Sequence, residues 1–272
     1  MYAQYRPRYN DEVVKSVASR VENKDLYLDV ACGILFFIYI KIYVLIFFVF
    51  NSGSGQLTSL LSKHFVKTVG VDRSFEQLKY SGSSQNVKFI AGDAFHLPVA
   101  DNAVDLLTVA QGLHWLVPHE KFFKEVNRVL KPNGVFAAVG YTVCTLLNEN
   151  LEQNFKHYYD NILGSRKEPG EDGCFWDISR PSLDSLYSDV EFPYTETLQR
   201  NRYFHRVAMP VDDFFEYLRT MSAYRSLLNK GVADPLPELM SSFLKTLDTS
   251  DKKSKIEVEF TFFSVSFLKS SA

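Results

Sequence analysis

The chain has 272 residues, 46% hydrophobic and 23% charged, with thirty basic against thirty-two acidic side chains and a formal charge of −2. That length is ample for a buried core, an aromatic content of 15% argues against a disordered chain, and the near-neutral balance does not indicate a basic surface for nucleic acid, a local patch apart. Cys32, Cys144 and Cys174 stand far apart; they form neither a disulfide framework nor a zinc-binding spacing, so no metal is expected and a reducing, cytoplasmic setting is.

The opening MYAQYRPRYNDEVV has no apolar core of the signal-peptide kind. Asn10 is placed to cap a helix over DEVVKSVASRV, with Val13, Val14 and Val17 on one face. LYLDVA reads as a buried strand, and Ser54 to Phe65 as a helix after a glycine turn. A second strand ends at Asp72, FEQLKYSG is helical, and a third strand ends before Gly92 and Asp93. Val104 to Ala110 forms a fourth strand, HEKFFKEVNRVLKPNG a helix stopped by Pro132 and Gly134, and VFAAVGYT a fifth strand. Beyond Thr145 the alternation lapses. Asn148 to Leu163 reads as helix, GSRKEPGEDG as loop, and VEFPYTETLQRNRYFHRVAM as one or two strands. VDDFFEYLRTMSAYRSLL is an amphipathic helix, PLPELMSSFLKTL another, and Glu257 to Phe267 a closing strand. Strand and helix alternating predicts an α/β fold, Rossmann-like and doubly wound, with a mostly parallel sheet and a helical cap. The expected division is a core over 1–145, a helical cap and substrate region over 146–250, and the final strand of the core sheet in 251–272.

One segment does not belong to this pattern. Ile34 to Phe50 is a run of seventeen residues whose single charge is Lys41. A membrane helix needs about 20 apolar residues, and a central Lys costs about 2.5–3.5 kcal/mol on insertion. The flanks are more informative: without Ile34 to Gly53 the chain reads LYLDVACG–SGQLTSLL, an apolar strand, a glycine loop and a helix start. The residues 34–53 amount to a whole number of codons, and their Phe, Ile, Tyr, Lys and Asn content is what A/T-rich codons encode. The segment therefore reads as a translated intron or gene-model error, the alternative being a genuine insertion for a partner or a membrane. Membrane association is expected only if the insertion is real and exposed.

In open α/β sheets ligands sit beyond the carboxyl ends of the strands, where glycines let the backbone approach and an acid can accept from a ribose. Asp72 ends the second strand, and Asp93 with Ala94 follows the third. Together these suit an adenosine-containing cofactor. The spliced loop Gly33-Ser54-Gly55-Gln56-Leu57-Thr58 has Thr where a nicotinamide fingerprint wants its third glycine, and Asp29 before the loop suits a cationic group.

LDVACG–SGQLT, GVDRS, AGDAFHLP, VDLLTVAQGLHWL and EVNRVLKPNG, in that order, resemble a class I S-adenosylmethionine-dependent methyltransferase. The opening YRPRY and the QGLHW after the fourth strand resemble the small-molecule group that includes trans-aconitate methyltransferases. The resemblance implies a seven-stranded sheet with an antiparallel last strand, S-adenosyl-L-methionine as cofactor, and a small-molecule acceptor, a carboxylate among the candidates. By position it implies that Gly33 and Gly55 line the methionine part, with Asp29 near its ammonium. It gives the ribose to Asp72, the adenine to Asp93 and Ala94, and the vicinity of the methyl donor to Gln111. Tyr9, His114 and Trp115 would face the substrate, with His114 the one candidate for a catalytic role. Arg6, Arg8, His205 and Arg206 are further candidates for holding an acid. The insert interrupts the cofactor loop, so weakened binding is expected of the chain as written, and an inactive or membrane-associated isoform is the alternative reading. Oligomeric state is not legible.

Overall fold

The structure is a computed structural model that describes residues 5–31, 55–73, 85–176 and 180–271. The predicted helix FEQLKYSG, Gly33 and the 34–53 run lie outside the described residues.

The N-terminal helix α1 (Asp11–Ser19) starts where Asn10 accepts from the Val13 N–H and buries Val13, Val14 and Val17. The strand β1 (Leu26–Val30) follows, then α2 (Gln56–Leu61), β2 (Lys67–Asp72), β3 (Val87–Ala91) and β4 (Val104–Ala110). Helix α3 (His119–Val129) precedes β5 (Leu130–Tyr141) and the short β6 (Thr145–Leu146). After it come α4 (Glu149–Lys156), a π-helical turn over His157–Ile162, α5 (Arg180–Asp184) and β7 (Gln199–Pro210). Helices α6 (Val211–Arg219), α7 (Ser222–Asn229) and α8 (Leu236–Thr246) lead into β8 (Lys255–Leu268).

Eight strands join in the order β3-β2-β1-β4-β5-β8-β6, with β7 also paired to β8. The expected count was seven; the additional strand comes from the segment after Thr145, where β6 pairs antiparallel with β8. From β3 to β5 the pairs are parallel. The β5–β8 contact is antiparallel: Lys269 donates to Gly134 O at one end and Thr142 to Thr261 O at the other. Successive strands move outward in opposite directions from β1 and β4, which makes their carboxyl ends a topological switch point.

Two compact units share the chain. One comprises 8–140, 189–203 and 263–272; the other comprises 1–7, 141–188 and 204–262. In the first, β4 is buried along its whole length, as a central parallel strand must be. Burying each of its Leu and Val side chains contributes about 1.5–3 kcal/mol. Helix α3 buries Phe122, Phe123, Val126 and Val129, one stripe at helical spacing. Its Phe123 meets Phe136 edge-on at 5.6 Å, and Phe136 stacks on Phe267 at 5.0 Å.

The second unit is built on α4, α6 and α8. Phe214 stacks on Phe243 at 5.7 Å and meets Phe155 at 5.5 Å. The single amphipathic helix expected over 211–228 is two helices. The break is at Met221, whose backbone is extended (φ −69°, ψ 135°), next to Thr220, whose hydroxyl donates back to Tyr217 O at 2.6 Å. Among the described residues, no helix is long and apolar enough to cross a membrane.

Candidate functional site

Three strand ends in the first unit converge on one cleft, lined by Val30 at the end of β1 and Ala31 after it, Asp72 at the end of β2, Asp93 and Ala94 after β3, and Leu116. The backbone is shaped for it. Ala31 adopts a left-handed φ of 60° and donates its N–H to Val71 O at 2.7 Å, so the chain turns away at the end of β1. Gln111 does the same after β4, with φ 53° and a 2.8 Å bond to Val139 O. Two non-glycine residues in this sparsely populated region, at the ends of neighbouring strands, mark strain held by the surrounding structure.

Gly92 is needed for close approach. A Cβ there would sit 2.9 Å from Val71 Cγ1. Its N–H donates to Asp72 O at 2.9 Å, which ties the Asp93 turn to the end of β2. Asp72 is almost wholly buried. Asp93 is half-exposed, accepts from the Phe95 N–H at 3.1 Å, and pairs with Arg73 at 3.3 Å. Burial alone would raise its carboxyl; the Phe95 N–H and the Arg73 guanidinium outweigh that and hold it below the usual carboxylate range.

The loop after Asp93 is strapped to α3. Glu125 accepts from the Leu97 N–H at 2.6 Å. Arg128 closes a fork on Glu125 at 2.6 and 2.9 Å, pairs with Asp101 at 2.6 Å, and donates to Leu97 O and Val99 O at 3.0 Å each. The hydrogen bonds Arg128 donates to Glu125, then to Asp101, raise its guanidinium well above the ordinary value. Neither Arg128 nor Ala31 was picked out from the sequence. The EVNRVL pattern contained the first, but only the fold puts it against the Asp93 loop.

Asp29 is 1% exposed. Thr58, on the first turn of α2, donates to one of its oxygens, and Thr108 on β4 donates to the other at 2.6 Å. The Tyr27 hydroxyl lies 2.8 Å from the Thr108 hydroxyl. Burial raises the Asp29 carboxyl to about 6, against the opposing pull of the Thr108, Thr58 and Tyr27 hydroxyls. Gly55 precedes α2 with φ 65°, a conformation suited to glycine.

The structure thus brings Asp72, Asp93 and Ala94 together on the cleft and places Asp29 beneath the end of β1, bonded to hydroxyls rather than open to solvent. Gln111 sits at the end of β4, followed by the 3-10 turn Leu113–Trp115. His114 and Trp115 are half-buried there, their rings 5.8 Å apart. Tyr9, half-buried, precedes α1. Among the other candidates, Arg6 donates to Thr220 O at 2.8 Å and Arg206 pairs with Glu259 at 2.7 Å. His205 meets the Phe262 ring at 6.4 Å. In the second unit Tyr217 packs edge-on to Phe260 at 5.7 Å, and Trp176 against Tyr159 at 5.6 Å. Among the described residues, no group of three or more His, Cys, Asp or Glu side chains is arranged to hold a metal.

Residues 50–138 match the family model of a methyltransferase domain. A Dictyostelium discoideum protein named as a methyltransferase is 30% identical over 269 residues, covering 97% of this chain and 90% of its own length. A demethylmenaquinone methyltransferase of Staphylococcus aureus is 37% identical over 114 residues, 39% of this chain and 45% of that protein. Among solved structures, a type II methyltransferase from Anaeromyxobacter dehalogenans shares the fold with a TM-score of 0.75 at 23% identity, covering 97% of each chain.

Proposed function

This chain belongs to the class I S-adenosylmethionine-dependent methyltransferases, and from that premise we propose that it transfers a methyl group from S-adenosyl-L-methionine to a small-molecule acceptor. The observation that carries the cofactor reading is the convergence of Ala31, Asp72, Asp93 and Ala94 on one cleft at the switch point of the sheet. A buried acid at the end of β2 and a small residue beside a second acid after β3 fit a ribose and an adenine.

When bound, the cofactor supplies an electrophilic methyl on a sulfonium. The residues around it bind and orient. Asp72 accepts from the ribose hydroxyls. Asp93 accepts from the adenine amino group, while Ala94 leaves room for the ring. Asp29 contributes negative charge from below the end of β1, and Gly55, with its left-handed φ, allows close backbone approach on the methionine side, to which we also assign Gly33. Gln111 lies on the methyl-donor side, and Tyr9, His114 and Trp115 face the acceptor. Catalysis in this arrangement is alignment and exclusion of water. A carboxylate acceptor, the class we favour, is already a nucleophile at neutral pH. For an acceptor that must lose a proton, His114 is the group in place to take it. Cys144 and Cys174 are free and buried, which suits the reducing cytoplasm in which we place the reaction.

The test is calorimetric titration of S-adenosyl-L-methionine into the full chain and into a form lacking Ile34 to Gly53, each with and without Asp72→Ala. The deleted form is expected to bind, and Asp72→Ala to weaken it at least tenfold. Binding by the deleted form alone would make the chain as written an inactive isoform. Binding by neither would overturn the proposal.

A further inference from the structure

A carboxylate buried in an apolar sheet core is destabilising unless its charge is used or fully satisfied. Asp29 occupies such a position. It and Tyr27 stand two residues apart on β1 and share one face. In the parallel register Thr108 of β4 is directly opposite Asp29 on one side. On the other side stands Gly70 of β2, which has no side chain. Thr58 comes over this face from α2. Tyr27, Asp29, Thr58 and Thr108 are all essentially inaccessible to water.

The donor directions are determined. Thr58 and Thr108 each commit a proton to Asp29, one to each oxygen. The Thr108 oxygen is then an acceptor, so the Tyr27 O–H at 2.8 Å donates to it. Every hydroxyl proton in the cluster runs toward the carboxylate, the arrangement that favours its ionised form and fixes its orientation. The Thr58 bond also ties chain position 29 to position 58, on either side of the 34–53 run.

Resting on the proposed function above, we infer that Thr58 and Thr108, with Tyr27 behind Thr108, are positioning residues for the cationic cofactor, acting through Asp29, whose charge they hold in place beneath the end of β1. The side chains facing Asp29 from α2 and β4 are these neutral threonines. Tyr27 is the titratable neighbour on its own strand, and Asp72 at the end of β2 is the like charge acting on it. Loss of one hydroxyl donor weakens the opposition to burial and to Asp72, and the carboxyl then protonates at higher pH.

The experiment measures S-adenosyl-L-methionine affinity by calorimetry from pH 5.5 to 8.5 for the full chain and for the form lacking Ile34 to Gly53, each as parent and with Thr108→Val, Thr108→Ser, Thr58→Val or Tyr27→Phe. Thermal unfolding is recorded alongside. The parent is expected to lose affinity as pH falls toward 6. Thr108→Val and Thr58→Val are expected to bind about tenfold more weakly at pH 7.5, with the acid limb moved to higher pH, and Thr108→Ser to restore both. Tyr27→Phe, which removes one oxygen and keeps the ring packed, shifts the limb in the same direction and tests the chain even if a valine variant fails to fold. Variants with lowered melting temperature but parental affinity and pH profile would overturn this inference and leave the proposed function standing. No binding at any pH by the parent, either as the full chain or lacking Ile34 to Gly53, overturns both.

Discussion

The contact between Gly92 and Val71 supports a quantitative test of the site's packing. Replacing Gly92 by alanine puts a methyl carbon 2.9 Å from Val71 Cγ1 and 3.5 Å from Pro98 Cδ, where carbon pairs prefer about 3.5–4.0 Å. Val71 is buried on β2 and registered against Ile90 of β3, so it has little freedom to retreat. Overpacking of this kind costs about 1–3 kcal/mol, and about 2 kcal/mol is expected for Gly92→Ala. Val71→Ala alone removes the equivalent of two methylenes and leaves a small hole, costing about 2 kcal/mol. If the sites were independent the double variant would lose about 4 kcal/mol. Because the new methyl at 92 occupies the space vacated at 71, about 2 kcal/mol is expected instead, a coupling of about 2 kcal/mol. Urea unfolding followed by far-UV circular dichroism on all four proteins measures the cycle. Losses that add to within about 0.5 kcal/mol would show that Val71 is not what excludes a side chain at 92, and the steric account of this glycine would fail.

Ala31 in its left-handed conformation predicts that Ala31→Gly is neutral or stabilises by up to about 1 kcal/mol, whereas β-branched Ala31→Val destabilises by more than about 2 kcal/mol. A glycine variant melting well below the parent would contradict this. Asp105, buried at the start of β4, accepts from the Asp25 and Leu26 N–H groups at 3.1 and 2.8 Å and from Lys131 Nζ at 2.8 Å. Asp105→Ala strands the Asp25 and Leu26 N–H groups and leaves Lys131 only its 3.1 Å pair with Asp25; it should cost about 3 kcal/mol in chemical denaturation, with Asp105→Asn costing less. For Asp29, burial raises the folded-state carboxyl from 3.8 to about 6. Between those values the folded chain holds a proton that the unfolded chain has released. The stability Asp29 contributes is therefore present below pH 4 and lost as pH rises through about 6. Asp29→Asn, which has no such proton, should gain on the parent by up to about 3 kcal/mol between pH 4 and 7.5; a stability difference that does not change with pH would refute the assignment.

Local chemistry made much of this fold readable. Asn10 announced α1 because an Asx side chain before an apolar stripe has one obvious use, and it does cap Val13. The acids at the ends of β2 and β3 were legible because the sheet's periodicity predicts where each strand stops. Other features depended on contacts that no linear pattern encodes. The apolar stripe of 211–228 continues through Met221, so periodicity could not register the extended backbone there that divides the helix. The strap from Arg128 to Leu97, Val99 and Asp101 spans about thirty residues, and an arginine in an amphipathic helix reads as surface until the loop is seen against it. Ala31 was invisible for a related reason: alanine has no preference for positive φ, and only the bond to Val71 O reveals what the turn demands. Asp29 was legible as a carboxylate before the glycine loop, but its partners were not, because sequence does not show that two threonines from distant segments occupy its oxygens.

The way the two units divide the chain bears on how such a protein can be altered. Each unit consists of three separate stretches, and three of the five changeovers, at 140/141, 203/204 and 262/263, fall inside β5, β7 and β8. Neither unit is therefore the product of a contiguous piece of gene. No single truncation removes one and spares the other, and a recombination that exchanged one unit with that of a relative would need five matched junctions. Variation in such a chain has to come residue by residue or as insertions in loops between strands, where added length disturbs neither the register of the sheet nor the order of its strands.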